Sequence, residues 1–402
     1  MIFMLSRILK KIIGGCEYLK CLCLYFAAAA VSLFVKGKPF YKDLWLISER
    51  STDARDNGYH FFKFLKENKK DINCAYLIDK ASPDFKRVSS LGNTVQPKSF
   101  KHYIALCCAK AKISTHIMGY APDFYRFTVL DKKFGLVKGK KVFLQHGIIN
   151  NDIAEIRGSE VRLDLFICST ADEYKALSEN YGYPDGVIRR LGLCRYDALS
   201  APHEVKKQIL VMPTWRYHLR VLSDEEFVES EYYKCFNGLI SDKRLHGILE
   251  ENGYELVFYL HYELQKFTRL FCGNNERVLI RSMRDADVQQ LLMESAMLIT
   301  DYSSVFFDFA YMKKPLAYWM FDSDVFYSEQ YSKGYLLPDK DGFGPACSDK
   351  DDVIDYIGFQ IKNKMALEDV YEQRINRTFV DFTDNHCEKT YEAIKELLKK
   401  GR

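Results

Sequence analysis

From residue 43 onward, short apolar runs alternate with segments whose apolar positions recur at helical spacing. The runs 43–48 (DLWLIS), 72–79 (INCAYLID), 112–116, 141–146 (KVFLQH), 163–170 (LDLFICST) and 187–192 are predicted strands, four to eight residues long and bounded by polar turns. Phe61, Phe62 and Leu65 share one helical face and predict a helix over 57–65; 99–111 reads as another. Near Ser200-Ala201-Pro202 the pattern breaks and then restarts. Strands are predicted at 208–215 (QILVMPTW), 254–261 (YELVFYLH), 277–283, 297–302 (MLITDY) and 314–320 (KPLAYWM), with helices between them and a polar-amphipathic helical tail over 351–402. Alternating strands and helices imply parallel pairing through right-handed crossovers, hence an α/β fold. A chain of 402 residues is long for one hydrophobic core. The break divides it into Rossmann-like domains at 41–202 and 203–375, with a closing helical segment at 376–402.

The N-terminus departs from this rhythm. Arg7, Lys10 and Lys11 precede an apolar stretch at 21–35 (CLCLYFAAAAVSLFV), and Ile2, Phe3, Met4, Leu5, Ile12 and Ile13 extend its apolar character. The stretch is shorter than the roughly 20 residues that span a bilayer. It is expected to lie in the membrane interface, with basic residues against lipid phosphates, so that 1–40 forms a membrane-associating segment. The other reading is a helix packed on the first domain. Twelve cysteines, none in a C-x-x-C pair and most inside apolar runs, predict reduced buried thiols and no zinc site. A net charge of +4 on this length gives no footprint of a nucleic-acid binder. No P-loop, dinucleotide fingerprint, zinc-protease motif or nucleophile elbow is present.

In paired Rossmann-like units, ligands bind beyond the carboxyl ends of the strands, so the residues just past each strand carry the chemistry. His146-Gly147 ends KVFLQH; a neutral imidazole there suits proton abstraction from a hydroxyl, while a strand-capping histidine is the competing reading. Thr300-Asp301-Tyr302-Ser303-Ser304 closes a buried strand and opens a helix whose free N–H groups suit a phosphate. Simple helix capping needs only one of those polar residues. Thr214 and Arg216 follow QILVMPTW; Arg216 is a phosphate ligand or a surface arginine. His261, Arg281 and Arg284 end the next two strands, each as a nucleotide or phosphate contact or as a structural or solvated side chain. After the first strand, Asp53, Arg55, Asp56 and Asn57 are candidates for acceptor binding or for capping the next helix. Ser114-Thr115-His116 and Asp197 fall in the same position class and read as structural.

Together these segments resemble the CDP-glycerol glycerophosphotransferase family, which includes teichoic-acid polymerases and primases. The resemblance runs in order through ARDNGYHFFKFL (54–65), LQHG (144–147), GLCRYD (192–197), ILVMPTWR (209–216) and, most specifically, LITDYSSVFFDFAYMKKP (298–315). It implies a GT-B fold, two Rossmann-like domains facing a central cleft, with the N-terminal domain taking the acceptor and the C-terminal one the CDP donor. It implies transfer of glycerol phosphate or ribitol phosphate from CDP-glycerol or CDP-ribitol to a polymer or lipid-linked acceptor at the cytoplasmic membrane face, with release of CMP. His146 would be the general base. Arg216, His261, Ser303 and Ser304 would bind and polarise the diphosphate, with Asp301 and Asp308 shaping the site; Thr214, Arg281 and Thr300 complete the donor side. Asp53, Arg55, Asp56, Asn57 and Gly147 would serve the acceptor. No cofactor and no metal are implied, and a homo-oligomer is compatible with the sequence. Two departures stand out: Ile148-Ile149-Asn150-Asn151-Asp152 replaces a run in which many relatives carry proline and lysine, and Tyr262 replaces a proline. The rival expectations are a GT-B glycosyltransferase using a nucleotide sugar and a catalytically silent scaffold in a polymer-assembly complex.

Overall fold

The computed structural model describes residues 2–379, 382–383 and 385–400; the side chains of 2–14 and 16, including Arg7, Lys10 and Lys11, lie outside that description. Thirteen strands form two sheets in the described chain. The first contains β1 (Trp45–Ser48), β2 (Cys74–Leu77), β3 (Thr94–Val95), β4 (Ala111–Ser114), β5 (Lys140–Phe143), β6 (Leu165–Cys168) and β7 (Ile188–Arg190), in the order β3-β2-β1-β4-β5-β6-β7. The second contains β8 (Gln208–Val211), β9 (Glu255–Tyr259), β10 (Val278–Arg281), β11 (Met297–Thr300), β12 (Leu316–Trp319) and β13 (Ala346–Cys347), in the order β10-β9-β8-β11-β12-β13. Every pairing is parallel. Helices cover both faces, so the central strands are buried throughout and read as continuous apolar runs with no alternation. In each sheet the order reverses beside the first strand, at β1/β4 and at β8/β11, and these reversals are where α/β sheets open a ligand crevice.

The strands fall on the predicted apolar runs and are shorter than them, and β4 and β5 each begin one residue earlier than expected, at Ala111 and Lys140. β3 and β13, two residues each, are too short to leave a pattern. The helix Phe124–Phe134 also left none, because Phe124, Tyr125 and Phe134 face outward and blur its stripe. The tail is three helices, Lys350–Lys362, Asp369–Thr378 and His386–Lys399. The first packs Val353, Ile354 and Ile357 into the second lobe. The last crosses back, placing Cys387, Tyr391 and Ile394 in the core with Trp45 and Phe61 of the first lobe. Asp197 anchors that return by accepting from the backbone N–H groups of His386 (2.7 Å) and Cys387 (2.9 Å).

The N-terminal helix runs Ile2–Val35. Cys21, Tyr25, Ala28 and Ser32 lie on one face and are buried against the first lobe. Tyr25 donates to the Leu136 carbonyl and packs edge-on against Phe127. Leu19, Phe26, Leu33 and Phe34 face away, and Phe34 is 84% exposed. One face of this helix thus packs on the first lobe, and the other carries an uncovered apolar stripe.

Candidate active site

The strand-end residues of the two lobes meet at the facing reversals. Register sets the first lobe's share: Ser48 of β1 stands opposite Ser114 of β4, and Ser114 opposite Phe143 of β5. Arg50, His116 and His146 therefore leave the sheet side by side. His146 is aimed by Gln145, a buried residue in the left-handed region (φ 60°), a conformation that costs a non-glycine residue on the order of 1–2 kcal/mol. The strain is held by the Gln145 side-chain amide, which donates to the Ile167 carbonyl (2.6 Å) and to Glu173 (3.2 Å). The Gln145 carbonyl accepts from Asn57 Nδ2 (2.8 Å). Glu173 also accepts from the Ile149 N–H (2.8 Å), so one buried carboxylate grips both sides of the His146-Gly147 turn. Burial, only partly offset by these donors, pushes its pKa up to about 7.

Gly147 then lets the lobes touch: a β-carbon there would sit 2.9 Å from the Ser304 hydroxyl oxygen. The Ser303 and Ser304 hydroxyls are half-buried and make no hydrogen bond within the described residues, at the start of the helix Val305–Tyr311. His261 comes from the end of β9, with its ring over Trp215 (centroids 6.1 Å apart, 18° between planes). His116 and His146 are stacked, 5.0 Å apart and 11° from parallel. The His146 ring is open to cleft solvent on one side and crowded by protein on the others. That crowding, with the Arg50 and Arg195 charges, lowers its pKa to about 4. Burial, His146 and Arg50 bring His116 to about 3; burial, Arg50 and His146 bring His261 to about 4. All three imidazoles are neutral at neutral pH and can accept a proton. A cavity of about 570 Å³ lined by Asp172, Lys175, Tyr335 and Arg377 contains none of these histidines or serines, so the chemistry gathers in the interlobe groove and not there.

Two buried arginines brace this groove. Arg216 is 2% exposed. It donates to Asp301 (2.9 Å), to both oxygens of Asp322 (2.6 and 2.9 Å) and to the carbonyls of Thr214 and Trp215. Asp301 in turn accepts from the Thr214 and Tyr302 N–H groups. The guanidinium is thus fully engaged inside the loop that was expected to offer it to a phosphate, and Arg216 and Asp301 fold that loop. Arg195 is the second brace and was not among the expected site residues. It makes a two-pronged contact to Asp308 (2.8 and 3.1 Å) in the other lobe. It also donates to Asp56 (2.8 Å) and to the His146 carbonyl (2.9 Å).

The remaining expected residues sort by contact. Thr300 donates to the Met212 carbonyl and is buried, tying β11 to the end of β8. Asn57 is fully buried between Gln145 and the Arg195 N–H. Asp56 caps the helix Asn57–Asn68. Arg55 pairs with Asp84 of its own lobe (2.9 Å) and with Asp287 of the other (3.5 Å). Asp53 is partly exposed, its pKa raised by burial. Arg281 has an exposed side chain and only a 3.6 Å contact to Asp285. Asn150, in the departing loop, exchanges two hydrogen bonds with the Leu336 backbone (both 2.9 Å), closing one end of the groove. The Thr214 hydroxyl is buried without a partner. Among the described residues, no three His, Cys, Asp or Glu side chains gather in the manner of a metal site.

Two parallel sheets whose switch points face one another, with neutral histidines from both lobes between them, define an α/β protein of two paired Rossmann-like sheets. The chain belongs to the CDP-glycerol:poly(glycerophosphate) glycerophosphotransferase family, whose model matches residues 29–395. It is 30% identical over 368 residues to the minor teichoic acid biosynthesis protein GgaB of Bacillus subtilis strain 168, covering 89% of this chain and 40% of that protein. It is 31% identical over 159 residues to the teichoic acid poly(glycerol phosphate) polymerase of the same strain, covering 40% of this chain and 20% of the polymerase. The chain thus spans well under half the length of these relatives. Among solved structures, the wall teichoic acid polymerase TagF superposes with a TM-score of 0.68 at 16% identity, over 98% of this chain and 99% of that one. Staphylococcus aureus MnaA with UDP superposes at 0.54 and 13%, over 89% and 96%. At these identities both share the fold.

Proposed function

We propose that this protein is a GT-B transferase that moves glycerol phosphate, or ribitol phosphate, from a CDP-polyol to a hydroxyl of a surface-polymer or lipid-linked acceptor. The observation that carries the reading is His146 of the first lobe beside His261 and the unpartnered Ser303 and Ser304 hydroxyls of the second. In this reading the first lobe (41–202) receives the acceptor, and the second (203–375) holds the CDP group. The acceptor hydroxyl gives its proton to His146 and its oxygen bonds to the β-phosphorus. The bond from that phosphorus to the bridging oxygen breaks, and CMP leaves with the electron pair. Serine hydroxyls and the helix start beside them stabilise charge on the phosphoryl oxygens, and His261 can hydrogen-bond the same group. Family membership and the names of the relatives support the donor class.

The test is a donor screen with detergent-purified protein. Acceptor-stimulated CMP release from CDP-glycerol or CDP-ribitol is expected. Release of a nucleoside diphosphate from a sugar donor, with no turnover of either CDP-polyol, would replace this reading with a glycosyltransferase, whose fold the UDP-bound neighbour shares.

The enzyme is proposed to work on the cytoplasmic membrane face. Leu19, Phe26, Leu33 and Phe34 of the first helix lie near a second exposed apolar set, Phe124, Tyr125 and Phe134, on a helix that also carries Lys132 and Lys133. Arg126 over the Tyr18 ring joins the two helices. Apolar rings with basic neighbours suit an interface of acyl chains and lipid phosphates. The double variant F124E/Y125E is expected to lower partitioning onto phosphatidylglycerol vesicles by roughly 10–100-fold, as two rings leave the apolar layer. Unchanged sedimentation with vesicles would remove this helix from the membrane face.

A further inference from the structure

The groove needs a cation for a diphosphate, and the two buried arginines do not supply one. Arg216 and Arg195 direct their N–H groups at carboxylates and carbonyls, and the three histidines are neutral. Arg50 differs. It lies two residues past β1, is half-buried and forms no ion pair among the described residues, although its charge acts on the Asp53 carboxyl. Its Nε donates to His116 (3.4 Å), and its guanidinium lies 4.0 Å from the centre of the Tyr262 ring in the other lobe. Its terminal N–H groups have no partner within the described residues. Its charge acts on His116, His146 and His261 alike, which places it among all three rings.

We infer that Arg50 is a catalytic residue whose terminal N–H groups bind the donor diphosphate between the two lobes. The inference rests on the phosphotransfer reading above. A guanidinium matches two phosphoryl oxygens at once, which a neutral imidazole cannot. Tyr262 gives the planar group a ring to lie on and holds it facing the histidines. The position also explains how His146 becomes an adequate base. Burial first, and then the Arg50 and Arg195 charges, hold it weakly basic. A bound diphosphate cancels that field and raises the affinity of His146 for the proton it must take.

The test compares Arg50→Ala and Arg50→Lys with the unsubstituted protein, by calorimetric titration with inorganic pyrophosphate and by CMP release. Arg50→Ala is expected to bind pyrophosphate at least about 10-fold more weakly and to lose about 10²–10³ in kcat, with Arg50→Lys intermediate. Added guanidinium chloride is expected to restore part of the Arg50→Ala turnover, which a purely structural latch on Tyr262 would not permit. NMR titration should show the His146 pKa rising when pyrophosphate binds. Pyrophosphate affinity unchanged in Arg50→Ala would overturn the inference. So would weakened binding confined to glycerol 3-phosphate, since that would place Arg50 on the acceptor's phosphate. If the unsubstituted protein releases no CMP from any CDP-polyol, the transfer reading fails, while the pyrophosphate titration still decides the role of Arg50.

Discussion

Arg216→Ala is expected to destabilise the second lobe by about 3–5 kcal/mol, the cost of removing one partner from a buried ion-pair network. The substitution leaves Asp301, fully buried, and Asp322, whose side chain is 10% exposed, without their shared cation. It also frees the carbonyl of Thr214 and leaves that of Trp215 with only the Gln330 side-chain amide, in a site with little access to water. Asp301 already has its pKa raised by burial, with Arg216 pulling against that rise, so losing the arginine pushes its carboxyl toward the neutral form. The loop 212–216 and the Asp301–Ser304 turn then lose their ion pair and are left joined by the Thr214 N–H to Asp301 hydrogen bond. Urea unfolding of Arg216→Ala beside Arg281→Ala is the measurement. The exposed Arg281 should change stability by no more than about 0.5 kcal/mol. If Arg216 were instead a phosphate ligand, its variant would unfold at the normal urea concentration and lose only donor affinity. That result would return Arg216 to the role its motif suggested.

The motif around Arg216 was legible, but its orientation was not. An arginine three residues after a proline beyond a strand reads equally as a ligand or as a brace, because a sequence does not show where the matching carboxylates lie. Here they come from positions 85 and 106 residues downstream. The same gap hid Arg195, whose partners Asp56 and Asp308 lie 139 and 113 residues away. The strand series, by contrast, was readable because burial on both faces of a parallel sheet demands continuous apolar runs. His146, His261 and the two serines were expected from the rule that chemistry follows strand ends. Arg50 obeys that rule as well, two residues past β1, but the denser polar run after it drew attention away. The return of the last helix to the first sheet left no local signal, since an amphipathic helix does not state which lobe its apolar stripe will meet.

His146→Ala is expected to lower kcat by about 10²–10⁴, the usual worth of a general base, while leaving the fold in place. The structural duties at this position belong to the backbone: its carbonyl accepts from Arg195, and its direction is set by Gln145 and Glu173. Alanine keeps all of that and removes a ring that stands against His116 and the groove and hydrogen-bonds the Thr115 backbone. His261→Ala is a less clean probe, because the His261 ring also accepts from the Glu263 N–H at the start of the next helical turn. The pH profile adds a second readout. With the pKa lowered from 6.5 to about 4, His146 is the free base above that value, so kcat/KM, which reports the free enzyme, should hold down to about pH 4 and fall below it. The kcat profile reports the substrate complex, where the anionic donor offsets the neighbouring arginines, so its acid limb should lie at higher pH. Coincident limbs in the two profiles would mean that the bound donor leaves the proton affinity of His146 unchanged. Near-normal turnover by a folded His146→Ala protein would remove His146 as the base altogether, leaving His116 and His261 as the neutral imidazoles still in the groove.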